Sequence, residues 1–339
     1  MKQRTETSGS EQNSSGETAR VAEPPIMNGS SHQPSMHSDL EVALFVDATE
    51  TLFRIGDQLH HQGFALPAPP QRHGVANADE IRERVLRGIN PIAAMSLDDA
   101  IGIRYGDDPA GHDLTVIAGV HRGFLELMVA PDLEQLPQLR GRRIGIDTET
   151  GYARALMELL RRASLRRDHD FSVVKAGATN RRFERLISGE IDAALLGSPF
   201  TDLAKARQFR SLGSVPELLG GYQAVVLVAK AAWLNEHPAQ ARSVVECLLG
   251  AARWAFDPIN AESLIAMLEH CISVPHTLET RQSIAATLFG AGTQYLRDGC
   301  IHDRDLQVVV DLYNHDLGTT LTPQHLRSWI TDAFLPVND

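Results

Sequence analysis

The chain contains an internal duplication in which equivalent residues lie about 100 positions apart. The first copy begins with Leu40–Phe64 and the second with Arg142–Leu165. In each copy a short β-rich run ends in an apolar residue and an aspartate, Asp47 or Asp147, and is followed by a Thr/Glu loop and an amphipathic helix. The duplication predicts two α/β halves with the same order of elements.

The duplication continues through Val75–Ile101 and Gly177–Leu203. In both segments a polar start precedes a helical pattern, a glycine ends it, and an apolar strand follows. The glycines are Gly88 and Gly189, as left-handed helix ends require. Strands and helices that alternate at this spacing predict parallel sheets with right-handed crossovers. Two such sheets predict two lobes.

Two long apolar runs, Gly123–Ala130 and Tyr222–Ala229, flank the second copy, and both end in Val-Ala. They mark two crossings of the chain between the lobes, and we expect them to lie side by side as a two-stranded hinge. The sequence after the second crossing is helical in pattern, and we expect this block to pack on the first lobe. The predicted organisation is a tail at 1–37, a first lobe at 38–127 and 223–339, and a second lobe at 128–222.

The tail and the composition limit the class of protein. Residues 1–37 are rich in Ser, Gly, Glu, Gln and Asn, which predicts disorder. No run approaches the roughly 18 apolar residues of a membrane span, and the start lacks the apolar region of a secretory signal peptide. As written, the sequence predicts a cytoplasmic protein, or a periplasmic one if the start site is misassigned. The net charge of −11 argues against nucleic acid as a partner.

Three stretches carry a family resemblance: LRGRRIGIDTETG from Leu139, FERLISGEIDAALLGSPF from Phe183, and AVVLVAKAAWLNEHPAQARSVV from Ala224. Over about residues 40–335 the chain resembles the ABC-transporter substrate-binding proteins of the aromatic-sulfonate and thiamine-precursor group. The resemblance implies a type 2 periplasmic-binding-protein fold, an α/β fold of two Rossmann-like lobes with parallel-type sheets, a two-stranded hinge and a helical C-terminal block. It also implies capture of a small organic molecule by hinge closure, with permease subunits as partners in uptake.

The candidate ligand site follows from the fold, because open α/β sheets bind ligands beyond the C-terminal ends of their strands. Helix N-termini there present free N–H groups, and the repeat places four such loops on the walls of the cleft. In the family these loops touch the ligand, while a Ser, Thr or Asp there also suits helix capping alone. Arg122 is either a cleft guanidinium or a surface arginine. The candidate ligand-binding residues are Asp47, Thr49, Ser96, Asp98, Arg122, Thr148, Glu149, Thr150, Gly151, Ser198 and Phe200.

Acidic residues at the loop tips affect the expected ligand. They are Asp47, Glu50, Asp98, Asp99 and Glu149. If two or more of them face the cleft, the sequence favours a cation or a hydrogen-bond-donating heterocycle over an anion.

An enzyme is the alternative, since the same fold hosts transport receptors and enzymes. It would be a cytosolic lyase, decarboxylase or biosynthetic enzyme acting on a small ring-containing substrate. The related desulfinases carry a cysteine nucleophile on the first loop, and Asp47–Thr49 has none. A general acid–base enzyme would use Asp47, Asp98 or Glu149 with a histidine. We expect a binding protein without catalytic residues, cofactor or metal.

Overall fold

The computed structural model describes residues 40–336, so the tail predicted at 1–37 lies outside the described residues. The first half of the chain contributes four strands and three helices to one lobe. In chain order they are β1 (Glu41–Leu44), α1 (Ala48–His61), β2 (Gln71–Gly74), α2 (Ala78–Leu86), β3 (Ile92–Ser96), α3 (Leu97–Arg104) and β4 (Leu114–His121).

The second lobe is built from the central part of the chain. Its elements are β5 (Glu126–Val129), β6 (Arg143–Ile146), α4 (Tyr152–Arg162), β7 (Ser172–Lys175), α5 (Thr179–Ile187), β8 (Ala193–Leu196), α6 (Phe200–Lys205), β9 (Arg210–Ser214) and α7 (Val215–Leu219). The chain then returns through β10 (Val225–Lys230) to a helical block. Its helices are α8 (Ala231–Glu236), α9 (Pro238–Phe256), α10 (Ala261–Cys271), α11 (Leu278–Phe289), α12 (Asp303–Leu317) and α13 (Pro323–Arg327).

The two sheets have the same topology. The first has the strand order β2-β1-β3-β10-β4 and the second β7-β6-β8-β5-β9. Under the duplication β1 corresponds to β6, β2 to β7 and β3 to β8, which confirms the predicted α/β fold of two lobes. In both copies the glycine after the second helix has a positive φ, +66° at Gly88 and +72° at Gly189.

Each sheet contains one antiparallel strand, which the sequence did not predict. β10 is antiparallel to β3 and β4, and β5 is antiparallel to β8 and β9. In both cases the antiparallel strand is the one that arrives from the other lobe. It enters at the C-terminal edge of the sheet, where Val225 pairs with Ser96 and Glu126 pairs with Leu196. Both crossings therefore join the C-terminal edges of the two sheets, and these edges face the same cleft.

The crossings lie side by side, as the sequence predicts, but over a shorter length. The long runs themselves belong to different sheets, as β5 and β10. Contact between the crossings is made just before these strands, where Ala224 N donates to His121 O at 3.2 Å and Gln223 Nε2 donates to the same oxygen at 3.3 Å. The two-stranded hinge is thus a short pair of segments where the chain passes between the two sheets.

The C-terminal helices contact both lobes, whereas the sequence predicted packing on the first lobe. Helix α9 packs on α1 of the first lobe, while α12 contacts α3 and α4, and α11 contacts α6 of the second lobe. The contact between α11 and α6 is polar: Ser283 Oγ and Thr287 Oγ1 donate to Asp202 Oδ1 at 2.8 and 2.9 Å. Among the described residues, no helix is both long enough and apolar enough to span a membrane.

Candidate functional site

A small cavity lies between the facing edges of the two sheets. Its free volume is about 30 Å³, room for about two water molecules. The walls come from both lobes and combine polar groups with aromatic and aliphatic surface. The polar lining residues are Ser96, Asp99, Asp147, Thr148, Thr150, Tyr152, Thr179 and Arg182, and the larger apolar ones are Phe45, Ile146, Leu156 and Leu195.

The first-lobe wall is the start of α3, which Ser96 caps. Ser96 Oγ accepts a hydrogen bond from Asp99 N at 3.0 Å and donates one to Asp99 Oδ2 at 2.6 Å. This reciprocal pairing holds the Asp99 carboxylate at the cavity surface. Burial raises the pKa of Asp99, although its hydrogen bond from Ser96 works in the opposite direction.

The second-lobe wall is the loop that leads into α4. Thr148 Oγ1 and Thr150 Oγ1 lie 3.0 Å apart and share a hydrogen bond. Gly151 follows with φ +59°, in the left-handed region that favours glycine. A Cβ at this position would lie 2.6 Å from Asp99 Oδ2 of the other lobe. Glycine is therefore required here both for the backbone conformation and for close approach of the two loops.

Asp98 and Arg154 join the lobes beside the cavity. Asp98 Oδ1 accepts a hydrogen bond from Gly151 N at 2.9 Å and forms an ion pair with Arg154, and both side chains are buried. Arg154 Nε also donates to Asp316 Oδ2 on α12 at 2.6 Å, and its guanidinium lies over the ring of Tyr313. Burial raises the pKa of Asp98, and the charge of Arg154 offsets part of that rise.

Asp147 makes a second contact between the lobes, from the second lobe to the first. Its Oδ2 accepts a hydrogen bond from Ala78 N, at the start of α2 in the first lobe, at 3.1 Å. Its Oδ1 is shut off from solvent and has no hydrogen-bond partner among the residues that the structure describes. Burial raises the pKa of Asp147 to about 6, against the nearby positive charge of Arg182.

Arg182 is buried in the second lobe, with 3% of its surface exposed. Its Nε donates to Leu195 O at 3.1 Å, Nη1 to Gly177 O at 2.7 Å, and Nη2 to Thr179 Oγ1 at 3.1 Å. Each of its three nitrogens thus has an acceptor within the same lobe. The arginine holds the strand and loop that form the floor of the cavity.

Asp47 and Thr49, at the start of α1, lie beside His121 at the end of β4. Asp47 Oδ1 caps α1 by accepting from Thr49 N at 2.8 Å, and burial raises the pKa of Asp47 to about 7. His121 Nδ1 accepts from Gly123 N at 3.0 Å, so Nε2 carries the proton and donates to Thr49 Oγ1 at 3.3 Å. Burial lowers the pKa of His121 to about 3, which keeps the ring neutral.

The structure separates the predicted site residues into three groups. Ser96, Thr148 and Thr150 line the cavity. A second group consists of buried or capping residues that do not line the cavity, and they are Asp47, Thr49, Asp98 and Gly151. The remaining four, Arg122, Glu149, Ser198 and Phe200, do not line the cavity.

Local partners account for the residues outside the cavity. Arg122 Nε lies 2.7 Å from Asp305 Oδ2 on α12, and Glu149 is exposed and paired with Arg167. Ser198 Oγ donates to Asp202 Oδ2 at 2.7 Å, inside the second lobe. Phe200 packs against the ring of Phe183, with centroids 5.4 Å apart.

Three charged cavity residues were not among the candidate ligand-binding residues: Asp99, Asp147 and Arg182. Asp147 has a signal in the sequence, because it occupies the same place in the repeat as Asp47. The signal for Arg182 is weaker: it interrupts the buried stripe of α5, which otherwise holds Thr179, Phe183 and Leu186.

A family model and several solved structures are similar to this chain. Residues 93–261 match the NMT1/THI5 like family model. No curated protein sequence matches the chain. The nitrate-binding protein NrtA from Synechocystis PCC 6803 is similar in structure, with a TM-score of 0.69 at 12% identity, over 88% of this chain and 87% of that one. A zinc-bound ligand-binding component of an ABC-type import system from Staphylococcus aureus has a TM-score of 0.67 at 13% identity, over 87% and 100% of the two chains.

The alkanesulfonate-binding protein SsuA from Xanthomonas axonopodis pv. citri, bound to MOPS, has a TM-score of 0.64 at 14% identity, over 87% of this chain and 98% of that one. These likenesses establish the type 2 periplasmic-binding-protein fold. Together with the family model, they confirm the resemblance to the SsuA/NMT1-like group.

Proposed function

We propose that the protein is a solute-binding protein that captures a small organic molecule between its lobes, for ABC-type uptake. The observation that carries the proposal is the set of hydrogen bonds joining the cleft loops of the two lobes around the cavity. Ala178 N donates to Ala76 O at 3.0 Å, next to the contact between Asp147 and Ala78. A cavity enclosed by both lobes favours ligands that touch both.

Hinge closure is the proposed mechanism. The lobes are proposed to move as rigid bodies, one formed by 38–127 and 223–339 and the other by 128–222. A ligand that contacts both walls has higher affinity for the closed state and shifts the population towards it. The short crossings are suited to absorb the change in backbone angles. Permease subunits would then recognise the closed shape, a proposal supported by the ABC-import relative.

Binding rather than catalysis is supported by the state of the histidine. The enzyme alternative needs a base near Asp47, Asp98 or Glu149. His121 is the histidine next to Asp47, and it holds its proton on the nitrogen that faces Thr49. Of the residues described, those that line the cavity include no histidine, cysteine or lysine. Glu149 is paired with Arg167 away from the cavity.

Native mass spectrometry of the purified protein tests the proposal, because tightly held solutes co-purify. We expect a small organic ligand at one molecule per chain, recovered chemically unchanged after prolonged incubation with the protein. Conversion of that ligand to a product would instead support an enzyme.

A further inference from the structure

We propose that the cleft selects a small organic cation, such as a protonated amine, amidine or guanidine, through the carboxylates of Asp99 and Asp147. This inference rests on the proposed function and names the ligand class of the same site. It distinguishes this protein from its structural neighbours that bind nitrate and alkanesulfonate.

The helix N-termini around the cavity already hold carboxylates or a hydroxyl of the protein itself. Free N–H groups at such positions are what an anionic ligand would need. Here Asp147 Oδ2 occupies the N–H of Ala78 at the start of α2, and Asp98 Oδ1 occupies the N–H of Gly151 at the start of α4. Ser96 Oγ occupies the N–H of Asp99 in the first turn of α3, and the N–H of Thr49 on α1 is held by Asp47. A sulfonate or nitrate would have to displace these groups.

Arg182 is largely engaged by its own lobe. All three of its nitrogens donate to acceptors of its own lobe, and one of these bonds holds Thr179 on the cavity wall. The other guanidinium near the cavity, that of Arg154, is paired with Asp98 and with Asp316. Three of the five N–H groups of Arg182 are thus used within its own lobe, and Arg154 is paired with two carboxylates.

The carboxylates at the cavity exceed the positive charges. Arg154 balances Asp98, and Arg82 and Arg182 are the remaining cations near the other three. These three are Asp47, Asp99 and Asp147, of which the last two line the cavity. In a site with little water, one further positive charge is favoured electrostatically.

Asp147 also shows where a donor would bind. Its Oδ1 is buried and has no hydrogen-bond partner within residues 40–336, while Oδ2 is held by Ala78 N. A buried acceptor without a hydrogen bond is unfavourable, and an N–H group of a ligand would satisfy it once the lobes part enough to admit the ligand. Phe45 and Tyr152 supply aromatic surface in the same cavity, and such rings attract cations.

The pH dependence of binding separates a cation from an anion. The groups facing Asp147 are Asp99 and Asp79 of the first lobe and Arg182 of the second. Burial raises the pKa of Asp147 to about 6, and that of Asp99 also rises. A cation needs the ionised carboxylates, so its affinity should increase from pH 5 to pH 8. An anion would show the opposite trend.

The probes are methylamine, acetamidine and guanidine as cations, and nitrate, formate and methanesulfonate as anions. Their effect on the melting temperature of the full chain is measured at pH 8. We expect at least one cation to raise the melting temperature and no anion to do so. Stabilisation by an anion, or by none of the cations, would overturn the inference.

Substitutions test the two carboxylates. Asp147→Asn and Asp99→Asn should each weaken binding of the stabilising cation at least tenfold, measured by calorimetry on protein with an unchanged circular dichroism spectrum. Asp168→Asn, at an exposed position outside the cleft, is the matched control and should change affinity less than twofold. Unchanged affinity in both cleft variants contradicts the inference. X-ray scattering separates this inference from the proposed function. An anion that binds and reduces the radius of gyration would overturn the ligand class alone. A probe that binds without reducing the radius would count against the proposed function.

Discussion

Arg154 of the second lobe forms a buried ion pair with Asp98 of the first lobe. The side chain of Asp98 is 1% exposed and that of Arg154 is 8% exposed. The pair lies beside the ligand cavity, and α12 supports it through Asp316. The closed arrangement of the lobes thus has an ionic contact of its own, in addition to whatever a ligand contributes.

Replacing Arg154 tests this contact. Arg154→Gln leaves the Asp98 carboxylate buried without its counter-charge, which in other proteins costs about 3–5 kcal/mol. We expect a loss near the lower end of that range, because Asp98 can take up a proton. Chemical denaturation at pH 7 measures the change. Arg87→Gln removes an exposed pair with Glu83 and should cost less than about 1 kcal/mol; equal losses in the two variants would contradict the role of Arg154.

Gly151→Ala should impair closure. The residue has a positive φ, and a Cβ would lie 2.6 Å from Asp99 Oδ2 across the cleft. Gly189→Ala is the matched control, since it has a positive φ but no atom within 4 Å of the added Cβ. Gly189→Ala should lose about 1–2 kcal/mol of unfolding free energy from the backbone, and Gly151→Ala should lose more, because its φ of +59° is combined with a ψ of −129° and its Cβ meets Asp99. Only Gly151→Ala should also weaken binding of the co-purified ligand, by tenfold or more in calorimetry; equal affinities would show that the loops do not need this close approach.

Asp47→Asn should stabilise the protein at pH 8. Asn caps helices as well as Asp, and burial raises the pKa of Asp47 to about 7 in the folded chain from 3.8. Between these values the unfolded chain releases the proton first, so wild-type stability falls as the pH rises from about 4 to 7. The variant should be more stable by on the order of 4 kcal/mol at pH 8 and by little at pH 4. Denaturation curves at the two pH values measure the difference, and a gain that does not depend on pH would exclude this cause.

The contact of α11 with the second lobe rests on Asp202. Replacing both donors, as Ser283→Ala with Thr287→Val, leaves Asp202 Oδ1 without the two bonds that the helix supplies. Each lost bond to a charged group costs about 1.5–3 kcal/mol. Hydrogen exchange should become faster in α11 but not in α9, which packs on α1. Unchanged exchange in α11 would show that the contact does not hold the helix.

The repeat allowed the two lobes to be predicted because a duplicated pattern is a local property of the sequence. The antiparallel strands β5 and β10 were not predicted, since their direction depends on which edge of a sheet the chain enters. The cross-lobe caps were missed for a similar reason. Asp98 and Asp147 bond backbone groups 53 and 69 residues away, at Gly151 and Ala78. Only the folded arrangement shows that an aspartate following one strand serves a helix of the other lobe.

Small-angle X-ray scattering tests the central claim most directly. The protein is measured after unfolding and refolding to remove co-purified solute, and again at saturation with the ligand identified by mass spectrometry. We predict a smaller radius of gyration with the ligand, because it bridges both walls of the cleft and shifts the population to the closed state. An unchanged radius at saturation would contradict cleft closure as the mechanism of this protein.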